Sequence, residues 1–259
     1  MASNLSSVGF FFSSAEEFQE AMIKLAVDCS ERVSCEAGDY SIWRSRTGAE
    51  IWFHLPMLGT EDDARDIAGL TPFYEGLGVV SLEIVERVNR PEDNPFEGAF
   101  TAQVQDPDGT NEGYPMTFDA VDFSAHAARE LPFTAAARLV CFAREVRAFA
   151  DEEAYQADRS GPLGEIVLSP QAFLPLGQFA DPEDCERGGP ESTALLTGRV
   201  RECRLQTNEV TGRPFHWLLV DSMAASFDVV ADPEIIEGEI KEGGTVQVTG
   251  IVIGRLVEG

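Results

Sequence analysis

The stretch that most constrains this chain is its last apolar segment, residues 243–257, GGTVQVTGIVIGRLV. Val246 and Val248 alternate with Thr245, Gln247 and Thr249, the period of a half-buried strand. Ile251, Val252 and Ile253 then run together between Gly250 and Gly254. Glycine inside a strand pattern marks a bend or bulge, as at a barrel corner.

The region before it is equally regular. Residues 194–205, 215–220 and 226–231 read as strands, with a turn at 208–212 and a turn or short helix at 232–239. With a long first strand, a hairpin through Thr211-Gly212, a third strand, an intervening segment and a Gly-rich final strand, residues 193–259 resemble an OB-fold. The resemblance implies a five-stranded barrel. Four strands are clear, and the fifth has to come from splitting a long strand or from the connector near Glu165. It also implies a binding face on the second and third strands, where Phe215 and Trp217 share one side of a strand. Arg201 and Arg213, with Arg199 and Arg204, make the only basic cluster. Arg204 breaks the parity of Arg199 and Arg201 unless a bulge intervenes. Against a stacking platform stands the reading of Phe215 and Trp217 as core; against a binding patch, that of the arginines as a polar rim neutralised by Glu202, Glu209 and Asp221.

The N-terminal part opens as strand, helix, strand, strand. Residues 6–12 read as the first strand. Ser14 and Glu17 form a capping-box pattern ahead of a stripe at Phe18, Met22, Leu25 and Cys29. Residues 40–46 and 49–55 flank Thr47-Gly48 as a hairpin. In its second arm Glu50 and His54 share a face, ~13 Å apart at the strand rise, too far to bind one metal without a third element. The opening order is similar to half of a vicinal-oxygen-chelate module, but residues 8–12 supply no metal ligand and that chemistry is not carried over. An acidic loop or helical turn follows at 61–66, then strands at 69–75, 79–88, 99–104 and 114–118. A short helix falls within 123–131 and another at 151–158 with Asp151 as N-cap. Residues 134–149 carry helix-favouring alanines, but Leu139-Val140-Cys141-Phe142 and Val146 favour a buried strand.

Prolines at 162, 170, 175, 182 and 190 set residues 161–192 apart as a connector packing on both parts. The expected organisation is an acidic domain at 1–160, the connector, and an OB-like barrel at 193–259. The fold class is α+β: a β-rich, mainly antiparallel N-terminal part followed by that small barrel.

Net charge is −26, and 193–259 account for only six Lys/Arg against ten Asp/Glu. Such a field repels nucleic acid and anionic membrane and suits a basic protein partner; service to solubility or salt adaptation is the other account of it. No apolar run approaches the ~20 residues of a membrane helix, and the N-terminus lacks a basic leader region. Five scattered cysteines without Cys-x-x-Cys point to reduced thiols and a cytoplasmic setting rather than to zinc or disulfides. Asp106, Asp108, Asn111 and Glu112 offer hard oxygens, yet Asp-Pro-Asp-Gly is ordinary turn chemistry. No cofactor and no metal are expected, and no motif names a reaction. The reading is a non-enzymatic binding or adaptor protein. The alternative is a small-molecule enzyme or ligand binder with its pocket between the two parts, which a deep cleft gathering titratable groups would favour.

Overall fold

Two long strands cross the middle of the molecule side by side: β8 (Phe133–Phe149) and β14 (Thr245–Val257). They pair antiparallel along the whole of β14, from Thr245 opposite Phe149 to Val257 opposite Ala136. The ladder slips between Thr249 and Gly250, where the glycine pattern placed a bulge. The reason is steric. A Cβ on Gly250 would lie 2.6 Å from the Phe142 carbonyl oxygen, and one on Gly254 would lie 2.4 Å from the Phe118 ring. The alanines of β8 favour helix on their own, but Ala137 and Ala143 are fully buried, and the small side chain lets neighbouring layers approach.

The computed structural model describes residues 3–57, 67–105, 113–158, 168–179, 190–223 and 225–257. It is β-rich and mainly antiparallel. Helix α1 (Ala15–Val27) leads into a four-stranded meander of β1 (Glu31–Cys35), β2 (Gly38–Arg44), β3 (Ala49–Pro56) and β4 (Gly69–Tyr74). A larger sheet holds the remaining strands. β5 (Val80–Val88), β6 (Ala99–Val104) and β7 (Pro115–Ala120) form an antiparallel run between β8 and β14. Helices α2 (Phe123–His126) and α3 (Glu152–Ala157) flank β8 in sequence, and Asp151 caps α3 by accepting from the Ala154 amide. β9 (Ala172–Leu174) pairs with β10 (Thr193–Thr207), which pairs with β14 and with β11 (Pro214–Ser222). β12 (Ala225–Ala231) lies between β11 and β8, and the two-residue β13 (Ile236–Glu237) adds to β8.

The pairings β10–β11–β12–β8–β14–β10 close on themselves, but unevenly: β12 meets β8 through only Asp228, Val229 and Val230, in parallel. The strand that follows β12 in this circuit therefore comes from residues 133–149, neither from a split long strand nor from the connector near Glu165, the two sources the sequence offered for a fifth strand. β8 and β14 join residues on either side of 161–192 in one sheet. Phe173 of β9 lies against both Tyr114 and Phe227, 5.3 and 5.2 Å between ring centres. The strand expected at 165–168 falls largely outside the described residues, as do the 61–66 segment and the 106–112 turn with its hard oxygens.

Residues 6–12 do not form the expected first strand, so the opening is a helix followed by the four strands of the meander. Ser3 and Ser6 exchange side-chain hydrogen bonds with each other's amides and tighten Ser6–Val8 into a single 3-10 turn. The apolar run is a plug: Val8 and Phe10 are buried, while the Val8 and Gly9 carbonyls accept from Asn208 Nδ2 and Thr211 Oγ1. Helix α1 starts as its capping pattern predicts. The Glu17 amide donates to Ser14 Oγ at 3.1 Å, and the Glu17 carboxylate reaches back to the Ser13 amide.

Apolar side chains gather in two clusters on opposite faces of the large sheet. Leu139, Cys141, Leu218 and Val220 belong to one. Val140, Phe142, Phe215, Trp217 and Leu219 belong to the other, together with α1 and the small sheet. β8 and β11 are thus buried on both faces, which is why their sequences are apolar at both parities. No helix among the described residues is long and apolar enough to cross a membrane.

One buried carboxylate ties the layers together. Asp228 of β12, fully buried, accepts from Trp217 Nε1 at 2.7 Å and from the amides of Leu77 and Gly78 at 3.1 and 2.8 Å. Burial pushes its pKa up, and these donors with Arg138 work against that rise. Asp228→Ala strands two buried donors, Trp217 Nε1 and the Gly78 amide, besides the part-buried Leu77 amide, and unsatisfied buried groups cost ~1–3 kcal/mol each. The variant should lose roughly 3 kcal/mol or more in a urea titration; a midpoint unchanged from wild type would show that the 76–78 loop does not depend on this carboxylate.

Candidate functional site

Between the small sheet and the β8–β14 pair lies a cleft of about 1020 Å³. Glu31, Val33 and Ser34 of β1 line one side of it. Glu31 and Val33 share one parity and Ser34 has the other, so the edge of β1 borders the cleft rather than one of its faces. Opposite stand residues 134–136 of β8 and Arg255, Leu256 and Val257 of β14. Asp122, Ala125, His126 and Arg129 come from α2 and its flanks.

Two glutamates hold the arginines of one wall. Glu50, with no exposed surface, accepts from Arg44 Nε at 2.6 Å and Trp52 Nε1 at 2.7 Å, with Arg255 Nη1 at 3.5 Å. Glu75 meets Arg255 Nη2 at 2.9 Å and Arg44 Nε at 3.0 Å, and Glu31 meets Arg44 Nη2 at 3.3 Å. Burial pushes the Glu50 carboxyl up, against the pull of Trp52 and both arginines. Burial works on Glu75 in the same sense, but Arg255 and Arg44 outweigh it and hold Glu75 below the usual carboxylate range. This cluster joins β2, β3 and β14, and it presents Arg44, Glu75 and Arg255 to the cleft in fixed positions.

The other wall centres on Asp122, whose side chain is 5% exposed. Its Oδ2 accepts from the Leu256 amide at 3.0 Å and lies 3.2 Å from His126 Nε2, one helical turn on. Oδ1 is buried and has no hydrogen-bond partner among the described residues. Arg129 completes this side with its guanidinium over the Phe133 ring at 4.0 Å.

The residues singled out from sequence are not brought together. Phe215 and Trp217 are buried against Tyr74, with ring centres 6.1 and 6.4 Å away, so they offer no stacking platform to solvent. Arg201 pairs with Asp221 at 3.4 Å, and Arg213 lies over Phe11 at 5.1 Å. The register of β10 slips between Val200 and Glu202, which supplies the bulge that Arg204 required, and Arg204 covers the Trp217 ring at 5.0 Å. Glu50 stands behind the cleft and fixes two of its lining arginines. His54 is buried elsewhere, stacked on Phe96 with ring centres 5.2 Å apart.

Sequence reasoning passed over Asp122 and Arg255 and set His126 aside as an isolated imidazole. Two signals were present. Asp122, just ahead of the short helix expected within 123–131, stands at i, i+4 spacing from His126, and Arg255 is the lone charge in an otherwise apolar strand end.

His54 and Glu50 yield separate tests. Burial lowers the pKa of His54 from 6.5 to about 4. Thr71, Asn94 and Glu97 face its ring, but Glu97 Oε1, 3.8 Å away, does not offset burial. Between those two values the unfolded chain binds more protons, so stability should fall as pH drops from 6.5 to about 4, by up to roughly 3 kcal/mol from this group. His54→Gln should flatten that part of the pH profile; an unchanged slope would remove His54 as its source. Glu50→Ala leaves two guanidiniums short of a partner, so it should cost roughly 3–5 kcal/mol in chemical denaturation. Glu50→Gln, which still accepts from Trp52, should cost less, and equal losses would show that charge alone matters. No family model matches the chain, and neither a curated protein nor a solved structure matches it significantly; the geometry of the cleft is therefore the ground for a function.

Proposed function

We propose that this is a binding protein whose ligand is a small molecule held in the cleft between the small sheet and the β8–β14 pair. One observation carries the reading: a cleft of about 1020 Å³ in which apolar surface from Val33, Ala136 and Val257 alternates with charged groups fixed by their neighbours. Ligand sites combine apolar walls with a few convergent polar groups, held in place before the ligand arrives. Of the two readings the sequence allowed, this favours the ligand binder over the adaptor. The cleft gathers titratable groups from 31–129 and from 255.

The uneven circuit of β10, β11, β12, β8 and β14 belongs to the same proposal as an OB-like barrel completed by β8. Its binding face is not the one such barrels use, because the small sheet covers Phe215 and Trp217. The net charge of −26 supports a cationic ligand or a basic partner over nucleic acid. The four described cysteines are free, which supports the cytoplasmic setting included in this reading.

Ala136 lines the cleft, is half-buried and shares the strand face of Val140 and Phe142 toward the small sheet, so Ala136→Trp fills the space without removing a charged group. A fragment library screened by ligand-observed NMR should give hits on the wild-type protein that this variant loses, with its circular dichroism unchanged. Hits that bind both proteins equally would place binding elsewhere and end the proposal.

A further inference from the structure

The outer edge of β1 narrows the chemistry of the ligand. The Ser45 amide donates to the Ala49 carbonyl at 2.8 Å, and the Met57 amide donates to the Ala37 carbonyl at 3.1 Å. The register between these two bonds is unbroken, so the odd-numbered backbone groups of β2 face β3 and the even-numbered ones face β1. Tyr40 and Ile42 therefore bond their β1 partners, Val33 and Glu31. Arg32 and Ser34, both exposed, are left with N–H and C=O groups that point away from the sheet. No strand pairs with β1 on that side among the described residues. The opposite edge of the same sheet is closed. The Glu75 amide donates to the Gly48 carbonyl, which turns Thr71 and Phe73 toward β3 and Pro72 away from it. Pro72 is buried and has no N–H to offer. β1 has neither a proline nor a bulge, two of the usual protections of an edge strand. It lies open where Val33, Ala136 and Val257 give the cleft its apolar surface.

We infer that the cleft takes a short extended peptide of net positive charge, which adds to β1 as an antiparallel fifth strand of the small sheet. The inference rests on the ligand-binding reading above and specifies it. In an extended peptide, residues two apart present N–H and C=O on the same side, which matches the free groups of Arg32 and Ser34. Val33 and Cys35 pack toward the apolar cluster between the sheets, so a peptide side chain opposite Val33 points into the gap. The lining itself is close to electrical balance. Arg44 and Arg255 face Glu31, Glu50 and Glu75, His126 lies 3.2 Å from Asp122, and Arg129 has no carboxylate partner among the described residues. The long-range field of a chain at −26 therefore sets the sign, and it draws a basic peptide. The same field opposes a second copy of this chain, and antiparallel pairing of β1 with itself would bring two Arg32 side chains onto one face.

The test titrates the full chain at low salt, followed by NMR, with the end-capped peptide Lys-Thr-Val-Thr-Lys, its acidic counterpart Glu-Thr-Val-Thr-Glu and two N-methylated forms of the basic one. The basic peptide should bind with a Kd about tenfold or more below that of the acidic one. Methylating both threonine nitrogens, which face β1, should weaken it about tenfold or more, whereas methylating the valine nitrogen, which faces away, should leave it nearly unchanged. The Arg32 and Ser34 amides should exchange more slowly with solvent when the basic peptide is bound. Ser34→Pro removes a donor that β2 does not use, so the fold should survive and binding should be lost. If that variant does not fold, the methylated peptides on the wild-type protein still decide. Equal weakening by the two methylations, an acidic peptide that binds as tightly, unchanged exchange at Arg32 and Ser34, or no binding at millimolar concentration would overturn the peptide assignment. So would a dimer in light scattering that Ser34→Pro dissolves, which would give the edge to a second copy. The fragment screen with Ala136→Trp tests the cleft reading separately, so a failure of the peptide and a failure of the cleft are told apart.

Discussion

The pairing of β8 with β14 is the constraint on which the rest of the structure depends. Every residue of β14 has a register partner on β8, and the two strands carry the other pairings outward. β5 and β12 add to β8, and β7 and β10 add to β14. A sheet built this way has apolar surface on both sides of its centre, and each side needs a cover. One side is closed by the curvature of the sheet itself, which brings β6, β10 and β12 over the same cluster. The other side is closed by the small sheet, α1 and the plug at Val8 and Phe10.

The cleft follows from that arrangement. The small sheet covers the large one over β11 and the middle of β8 and β14, where Tyr74 meets Phe215 and Trp217. Toward the start of β8 and the end of β14 the two sheets part, and the space between them is bordered by the β1 edge, α2 and the ion cluster. Glu50 illustrates the cost and use of this design. A carboxylate with no exposed surface is tolerated because two arginines and an indole N–H serve it. The same contacts hold Arg44 and Arg255 at the cleft wall, so the group that stabilises the junction also shapes the site.

Asp228 and Asp122 show two outcomes for a buried carboxylate in this fold. Asp228 is surrounded by donors from its own and neighbouring layers and acts as a structural pin. Asp122 is held by one oxygen and leaves the other buried without a partner among the described residues. The difference lies in position: Asp228 sits where three segments converge, whereas Asp122 sits where the sheets part.

The sequence by itself determined the local elements. The capping pattern at Ser14 and Glu17, the hairpin across Thr47-Gly48, the alternation in 245–249 and the bulge at Gly250 are properties of neighbouring residues. They are legible because backbone geometry and side-chain period act over a few positions. Residues 6–12 misled because an apolar run of that length suits a buried plug as well as a strand, and only hydrogen bonds to Asn208 and Thr211 distinguish the two. Tertiary structure alone decided the rest. Phe215 and Trp217 became core because the small sheet lies across them. β8 reached the neighbourhood of β12 from the far side of the connector, and no local pattern encodes a strand's partner. The cleft combines Glu31, Arg44, Glu75, Asp122 and Arg255, residues up to 224 positions apart along the chain, whose chemistry exists only once two sheets have packed at an angle that leaves a gap.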